Sequence, residues 1–473
     1  MDELVLYVTA GDPADKHAQE SLAAVSSIQK SQHYTTFRNA ESPLNGAAIT
    51  GFGAGERLFV VGKDKALITS YAWGKETADQ RFPVPEQMLC LAIAHHPNPG
   101  ENGSQKGENV TRPQYRVPWL LAAGSRSGKL YIWELALGDL VCVKDAHYQA
   151  ISTMEFSPCG TFLVTGGADT RVNVWRTLDL VTPESLSTCK AHASFTDHAL
   201  AVTGVSFAAS PVLGDCRVIL SSKDGTLRVY DVLTRLLLTT FVFSAGVECF
   251  ARDPAGRAYY AGLADGTVRQ VALYAVNKYT HVLEAVGGGG KIVTVEADPN
   301  MEATFLHHQS GAGCVPTAMR VTMDGMSLVS GDSQGRTFVA DIVTRQVVKL
   351  YTACKLAIAY IYTGVCSSEL LSATTLEKKH RLLPPLKRVL TSGNLMEHTL
   401  TMQLSSAPEK SEDFSTWLDR KAQEEFAFKK DGTQVTTGAG EKVLQEKLDK
   451  VSAAYTSLKD MYDQLVQAQE MEE

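Results

Sequence analysis

Apolar and polar residues alternate in short runs along most of this chain, and clusters of Gly, Pro, Asp and Ser interrupt them. The pattern is clearest in residues 146–178, AHYQAISTMEFSPCGTFLVTGGADTRVNVWRTL. Residues 151–156 alternate, Ser157-Pro158-Cys159-Gly160 breaks the run, and residues 161–165 resume it. Gly166-Gly167-Ala168-Asp169 turns the chain again before residues 171–175 alternate once more. A period of two puts successive side chains on opposite faces of a strand. Gaps this short cannot hold a crossover, so the pattern predicts antiparallel hairpins.

The same unit recurs in residues 62–73 (GKDKALITSYAW), 125–135 (SRSGKLYIWEL), 223–232 (KDGTLRVYDV), 264–273 (ADGTVRQVAL) and 332–343 (DSQGRTFVADIV). Trp133 and Trp175 stand 42 residues apart, and a repeat of about 40–45 residues is the period of a propeller blade. With a His before the first strand, an F-S-P turn, an Asp turn and a Trp closing the third strand, residues 146–178 resemble a WD repeat. That resemblance implies an all-β, seven-bladed WD-repeat β-propeller. It also implies a hydrogen-bonded chain across the blade through His147, Thr165, Asp169 and Trp175. A His and an Asp in one repeat also spell an acid–base pair, but the Trp and the turn account for both as structure.

Six copies leave one blade to be found at the ends. Residues 4–10, 23–29 and 34–37 form three strand-like runs, and residues 356–363 (LAIAYIYT) form an apolar run after the sixth copy. Pairing that run with the N-terminal three closes the ring and removes sheet edges that would template aggregation. Residues 381–404 supply a further strand or pack outside the ring. Residues 95–113, 177–198 and 276–313 read as insertions; the first is polar and Gly-rich. The Gly runs at 51–55 and 287–290 lack the G-x-x-x-x-G-K-[ST] spelling of a phosphate cradle and read as turns.

The boundaries follow: a propeller over residues 1–404, a linker with a short helix over 405–440, and a terminal helix over 441–473. In that helix Leu444, Leu448, Val451, Tyr455, Leu458, Tyr462 and Leu465 are spaced alternately by 4 and 3 residues. Such a seam keeps one stripe in register with a partner helix, so it predicts a C-terminal coiled coil and a homodimer. The other reading is a helix docked on its own domain.

Composition narrows the function. A net charge of −7 argues against a surface that grips nucleic acid throughout. The 9 cysteines are scattered without a C-x-x-C, so neither a zinc site nor a redox motif is expected, and no metal or cofactor is called for. The acidic N-terminus has too short an apolar run for a signal peptide, and no stretch is long enough to cross a membrane as a helix. Lys378, Lys379 and Arg381, with Lys387 and Arg388, form a basic cluster that suits nuclear import, an RNA-phosphate contact or simply a solvated loop. Gly331-Asp332-Ser333-Gln334-Gly335 has the spelling of a nucleophile elbow. An elbow needs a helix after it, and residues 336–343 read as a strand. His95-His96 and His307-His308 are adjacent pairs in polar loops, not a metal-spaced cluster.

The AHYQA opening at 146–150, the DHAL at 197–200, the run at 221–243 with the GLADG turn at 262–266, and the terminal heptads together resemble the WD-repeat protein 18 family. The resemblance implies a nuclear, non-catalytic scaffold in large-ribosomal-subunit maturation and spacer-RNA processing. Its implied partners are a large helical-repeat scaffold protein, a midasin-type AAA ATPase and the pre-ribosomal particle, with RNA contact open. A WD-repeat adaptor of a ubiquitin ligase or signalling complex is the alternative.

Overall fold

The computed structural model describes residues 2–11, 21–30, 32–53, 56–94, 120–181, 190–208, 216–277, 281–295, 303–310, 313–351, 354–366 and 383–390, with helical pieces at 418–419, 421–422, 450, 452–457 and 459. The chain divides into a unit over Met1–Gln403 and a second over Leu404–Glu473.

The first unit is a seven-bladed propeller of antiparallel sheets. Blade 1 comprises Ala47–Ile49, Arg57–Val61, Leu67–Ala72 and Gln80–Pro83. Blade 2 comprises Met88–Ala94, Leu120–Ser125, Lys129–Glu134 and Asp139–Asp145. Blade 3 holds Ile151–Phe156, Phe162–Gly167, Val172–Arg176 and Ala193–Phe195, so the 177–198 insertion ends in that blade's fourth strand. Blade 4 comprises Val202–Phe207, Arg217–Ser222, Thr226–Asp231 and Leu237–Val242. Blade 5 uses Val247–Arg252, Ala258–Leu263, Val268–Ala272 and the short Thr304–Phe305. Blade 6 comprises Pro316–Val321, Ser327–Asp332, Thr337–Asp341 and Val347–Leu350.

Blade 7 closes the ring from both ends. Ile358–Cys366 is its first strand, and Asp2–Thr9, Leu22–Ser27 and His33–Arg38 complete it in the order the sequence predicts. The two ends pair antiparallel from Asp2↔Cys366 to Thr9↔Ile358.

Each pair of neighbouring blades shares one apolar core, and seven such cores complete the circle. Two local devices bring the blades close enough for this. The first strands of blades 2, 3, 4, 5 and 6 each shift register after their first residue. At or beside this bulge, a small polar side chain reaches the first residue of the next blade. Cys90 donates to Ile151 O (3.4 Å), Ser152 to Val202 O (2.6 Å), Thr203 to Val247 O (2.8 Å), Cys249 to Pro316 O (3.3 Å) and Thr317 to Ile358 O (2.6 Å). Opposite the bulge, the second strand carries glycine in blades 2, 3, 5 and 6, whereas blade 4 pairs Ser221 with Gly204 of its first strand. A Cβ at Gly166 would lie 2.8 Å from Val202, and one at Gly331 would lie 2.6 Å from Ile358. Gly331 of the elbow-like motif is therefore a packing glycine.

The 276–313 insertion contains strands of its own. Tyr274–Val276 pairs with Leu283–Ala285, and Lys291–Thr294 adds a fifth strand to blade 4, parallel to Leu237–Val242. Gly288, Gly289 and Gly290 all have positive φ, so this glycine run is the turn that feeds the added strand. Residues 95–113 lie outside the described residues.

Candidate functional site

The structure brings His147, Thr165, Asp169 and Trp175 together inside blade 3. His147 Nδ1 lies 2.9 Å from Asp169 Oδ1 and its Nε2 lies 2.9 Å from Thr165 Oγ1. Trp175 Nε1 donates to Thr165 Oγ1 at 3.1 Å. One assignment satisfies every group: Trp175 donates to Thr165, Thr165 to His147, and His147 to Asp169. It requires a neutral imidazole. Burial pushes the His147 pKa below its ordinary value and outweighs the opposing pull of Asp169. The second Asp169 oxygen accepts the Tyr148 amide at 3.0 Å, fixing the loop before the blade.

Blade 4 has the same plan with one member replaced. His198 Nδ1 lies 3.1 Å from Asp224 Oδ2, which also accepts the Ala199 amide at 3.0 Å. Strand register places Leu220 where blade 3 has Thr165, and Tyr230 where it has Trp175. His198 Nε2 is consequently buried without a hydrogen-bond partner among the described residues. The Tyr230 hydroxyl turns instead to Asp197, at 2.6 Å. Burial raises the Asp224 carboxyl, but hydrogen bonds from His198, Thr226 and the Ala199 amide outweigh it and hold the group well below the usual carboxylate range.

Blade 6 corrects the reading of His307-His308 as a polar-loop pair. His307 Nε2 and His308 Nε2 lie 2.8 and 2.9 Å from Ser330 Oγ, at the strand position of Thr165. Burial, reinforced by the adjacent His308, pushes the His307 pKa down to about 3 against the opposing charge of Asp332. Asp332, His308 and Ser330 thus occur in the order of a hydrolase triad, but all three are 0% exposed. His308 Nδ1 is 3.6 Å from Asp332 Oδ2, beyond a good hydrogen bond. Asp332 is instead occupied by Arg336 Nε at 2.7 Å and the Arg336 amide at 2.8 Å. Ser333, the residue at the elbow position, sits in a strand-to-strand turn and accepts the Val315 amide at 3.2 Å.

The central channel opens into a cavity of about 240 Å³, lined by the first strands of blades 3 to 7. Glu155, Arg252, Arg320 and Tyr360 line it. Sequence reasoning passed over these four because each is a single residue in a different repeat. The available signal was a charge near the end of three first strands, ISTMEF, VECFAR and PTAMRV.

Part of the predicted basic cluster is a structural strap. Residues 383–388 lie across the outside of blades 1 and 2, with Leu383 and Leu386 buried in their shared core. Gln80 exchanges two hydrogen bonds with the Leu383 backbone, at 2.8 and 2.9 Å. The Lys387 ammonium pairs with Asp139, and Arg388 Nε donates to Pro83 O at 3.3 Å. Trp133 Nε1 donates to Lys387 O at 2.8 Å. Lys378, Lys379 and Arg381 lie outside the described residues, as do Leu444, Leu448, Val451, Leu458, Tyr462 and Leu465. Tyr455 sits in the helical stretch 452–457 and is 46% exposed. Among the described residues no group of three His, Cys, Asp or Glu is placed to hold a metal, and no helix is long and apolar enough to cross a membrane.

The family model "WD domain, G-beta repeat" matches residues 138–176 and 186–231, the third strand-set and its successor. The chain is 43% identical to "Pre-rRNA-processing protein IPI3" of Scheffersomyces stipitis, over 98% of each chain. It is 44% identical to the protein of that name from Candida albicans, again over 98% of each. For the Meyerozyma guilliermondii protein the identity is 46%, over 98% of this chain and 99% of the relative. Among solved structures, the computationally designed Ika8 protein overlays with a TM-score of 0.45 at 18% identity, covering 72% of this chain and 84% of that one. Identity of this order across nearly the whole of each relative means that this chain belongs to the pre-rRNA-processing protein IPI3 family, the WD-repeat protein 18 family.

Proposed function

We propose that this protein is a non-catalytic scaffold subunit of a nuclear pre-ribosomal complex, acting in ribosome biogenesis through maturation of the large subunit and processing of its spacer RNA. The observation that carries the proposal is the near full-length identity to proteins named for pre-rRNA processing, which spans both the propeller and the C-terminal region. The clusters that spell catalysis support the scaffold reading, because each is consumed by the fold. The His147 network joins the elements of one blade, and Ser330, His308 and Asp332 have no surface exposed to a substrate. A propeller offers instead a rigid ring of loops, which suits partner binding. On this reading the partners are a large helical-repeat scaffold protein and a midasin-type AAA ATPase that the complex recruits.

Depletion of the protein in its native cell, followed by hybridisation to spacer sequences, tests the proposal. Spacer-containing large-subunit precursors should accumulate while small-subunit precursors stay normal. Unchanged precursor levels, or capture of the tagged protein with ubiquitin-ligase subunits in place of pre-ribosomal proteins, would favour the adaptor reading.

The 4-3 seam from Leu444 to Leu465 supports a weak homodimer within this reading. Sedimentation should show a concentration-dependent dimer for the full chain and a monomer for one ending at Gly440. Identical monomers would assign the helix to another partner.

A further inference from the structure

The central channel carries a charge arrangement that the fold does not use. Arg252 projects from the first strand of blade 5 and Arg320 from that of blade 6, and both line the cavity of about 240 Å³. Among the described residues neither guanidinium forms an ion pair within 4 Å or a side-chain hydrogen bond, and Arg252 Nε is fully buried without a partner. This contrasts with Arg257 and Arg336, whose guanidinium groups lock onto Asp253 and Asp332 at 2.8 and 2.7 Å. Arginine offers five donors in a planar fork, and leaving them unmet in a half-enclosed site is costly. Tyr360, from blade 7, also lines the cavity, and its hydroxyl has no hydrogen bond to any described residue.

Glu155 of blade 3 is the acidic group whose charge reaches both arginines. Burial disfavours its charge, and Arg320 and Arg252 restore part of it. Arg252 is likewise weakened as a cation by burial, supported by Glu155 and opposed by Arg320. Lys223 and Glu248, which also line the cavity, pair with each other at 3.5 Å, so one carboxylate stands against two guanidinium groups and the lining retains a net positive charge. Two such forks present more donors than the roughly four lone-pair sites of a carboxylate ligand can accept. A phosphate, with more acceptor oxygens and up to two negative charges, matches them better.

We propose that the propeller channel is an oxyanion site that takes a phosphate group between Arg252 and Arg320, with the Tyr360 hydroxyl as a third donor. Glu155 limits the affinity by repelling the ligand and holds the empty site together by partly balancing the arginines. The phosphate is either a free ion or a monoester carried into the channel by a larger molecule.

The full chain tests this by calorimetric titration with inorganic phosphate and, separately, with O-phosphoserine, against chloride at equal ionic strength. One saturable site per chain is expected for at least one of the two. Inorganic phosphate alone would identify a free ion, and tighter binding of O-phosphoserine would identify a carried monoester. Arg252→Gln with Arg320→Gln should weaken binding by about tenfold to a hundredfold, the loss expected for charge-assisted hydrogen bonds. Glu155→Gln should bind severalfold more tightly. No saturable binding of either probe to the wild type would overturn the proposal, and so would undiminished binding to the folded double variant. If the double variant does not fold, Glu155→Gln decides: a folded protein with equal or weaker affinity for the probe refutes the site.

Discussion

Blades 2 and 3 carry the same tryptophan 42 residues apart, and the two indoles are satisfied in opposite ways. In blade 3, Trp175 donates to Thr165, 10 residues away, and the chain continues through His147 to Asp169. In blade 2 the strand register places Ala123 where Thr165 would be and Val84 where His147 would be. The Trp133 N–H has no partner within its repeat and takes Lys387 O, 254 residues away. A buried indole donor must be met by something. A complete repeat meets it locally; a degenerate one borrows a remote segment, and that segment becomes part of the core through Leu383 and Leu386. Blade 7 extends the same principle to a whole sheet, completed by strands from both ends of the propeller.

Removing a remote element altogether should break the contrast most severely. A chain lacking residues 1–38 loses three strands of blade 7 and exposes sheet edges on both sides of the gap. It should aggregate on expression. A soluble monomer with an unchanged melting temperature would show that the closure is dispensable.

Within the self-contained blade, Asp169→Ala leaves His147 Nδ1 and the Tyr148 amide without their acceptor. A destabilisation of about 1–3 kcal/mol is expected in urea unfolding. An unchanged midpoint would mean that the network adds nothing to blade 3.

Acid sharpens the comparison, because the chains in blades 3 and 6 contain titratable imidazoles and the Trp133–Lys387 bond does not. His307 and His147 are held neutral by burial, so their folded pKa values lie below the unfolded value. Between those values the unfolded chain binds more protons. Stability is therefore fully present above about pH 6.5 and lost as pH falls toward about 3 for His307. The slope should be at most about 1.4 kcal/mol per pH unit for each such histidine. His307→Gln should flatten it, as followed by thermal melts from pH 7 to 5. A melting temperature that does not move over that range would contradict the neutral imidazoles.

The smallest effect is a coupling. Trp133→Phe and Leu386→Ala both loosen the strap, so their costs should fall short of additivity by about 0.5–1 kcal/mol. The pair Trp175→Phe and Leu386→Ala shares no partner and should add. Equal coupling in the two cycles would remove the distinction between local and borrowed satisfaction.

What was legible in the sequence follows the same division. The alternation in residues 151–175, the Asp turns and the 42-residue spacing are local signals, and they indicated blades, order and closure. A segment packed outside the ring was one of the two readings of residues 381–404, but its docking point was not legible, because nothing in LPPLKR announces that its carbonyl will meet an indole 254 positions earlier. Lys291–Thr294 escaped because KIVT is too short and polar to read as a strand until the edge of Leu237–Val242 is there to pair with it. His307 and His308 sit among polar residues, yet the fold buries them against Ser330, because blade 6 lacks a histidine directly before its first strand. The channel group of Glu155, Arg252, Arg320 and Tyr360 exists only once four repeats are arranged in a circle.

The central claim is that this ring serves as a scaffold on pre-ribosomal particles. Gradient sedimentation of the tagged full chain from nuclear extract tests it most directly. The account predicts that the protein travels with particles containing large-subunit precursor RNA, and that it does so equally well with Ser330→Ala or Ser333→Ala, since neither hydroxyl performs chemistry. A wild-type chain found only in the light fractions, free of precursor RNA, would contradict it.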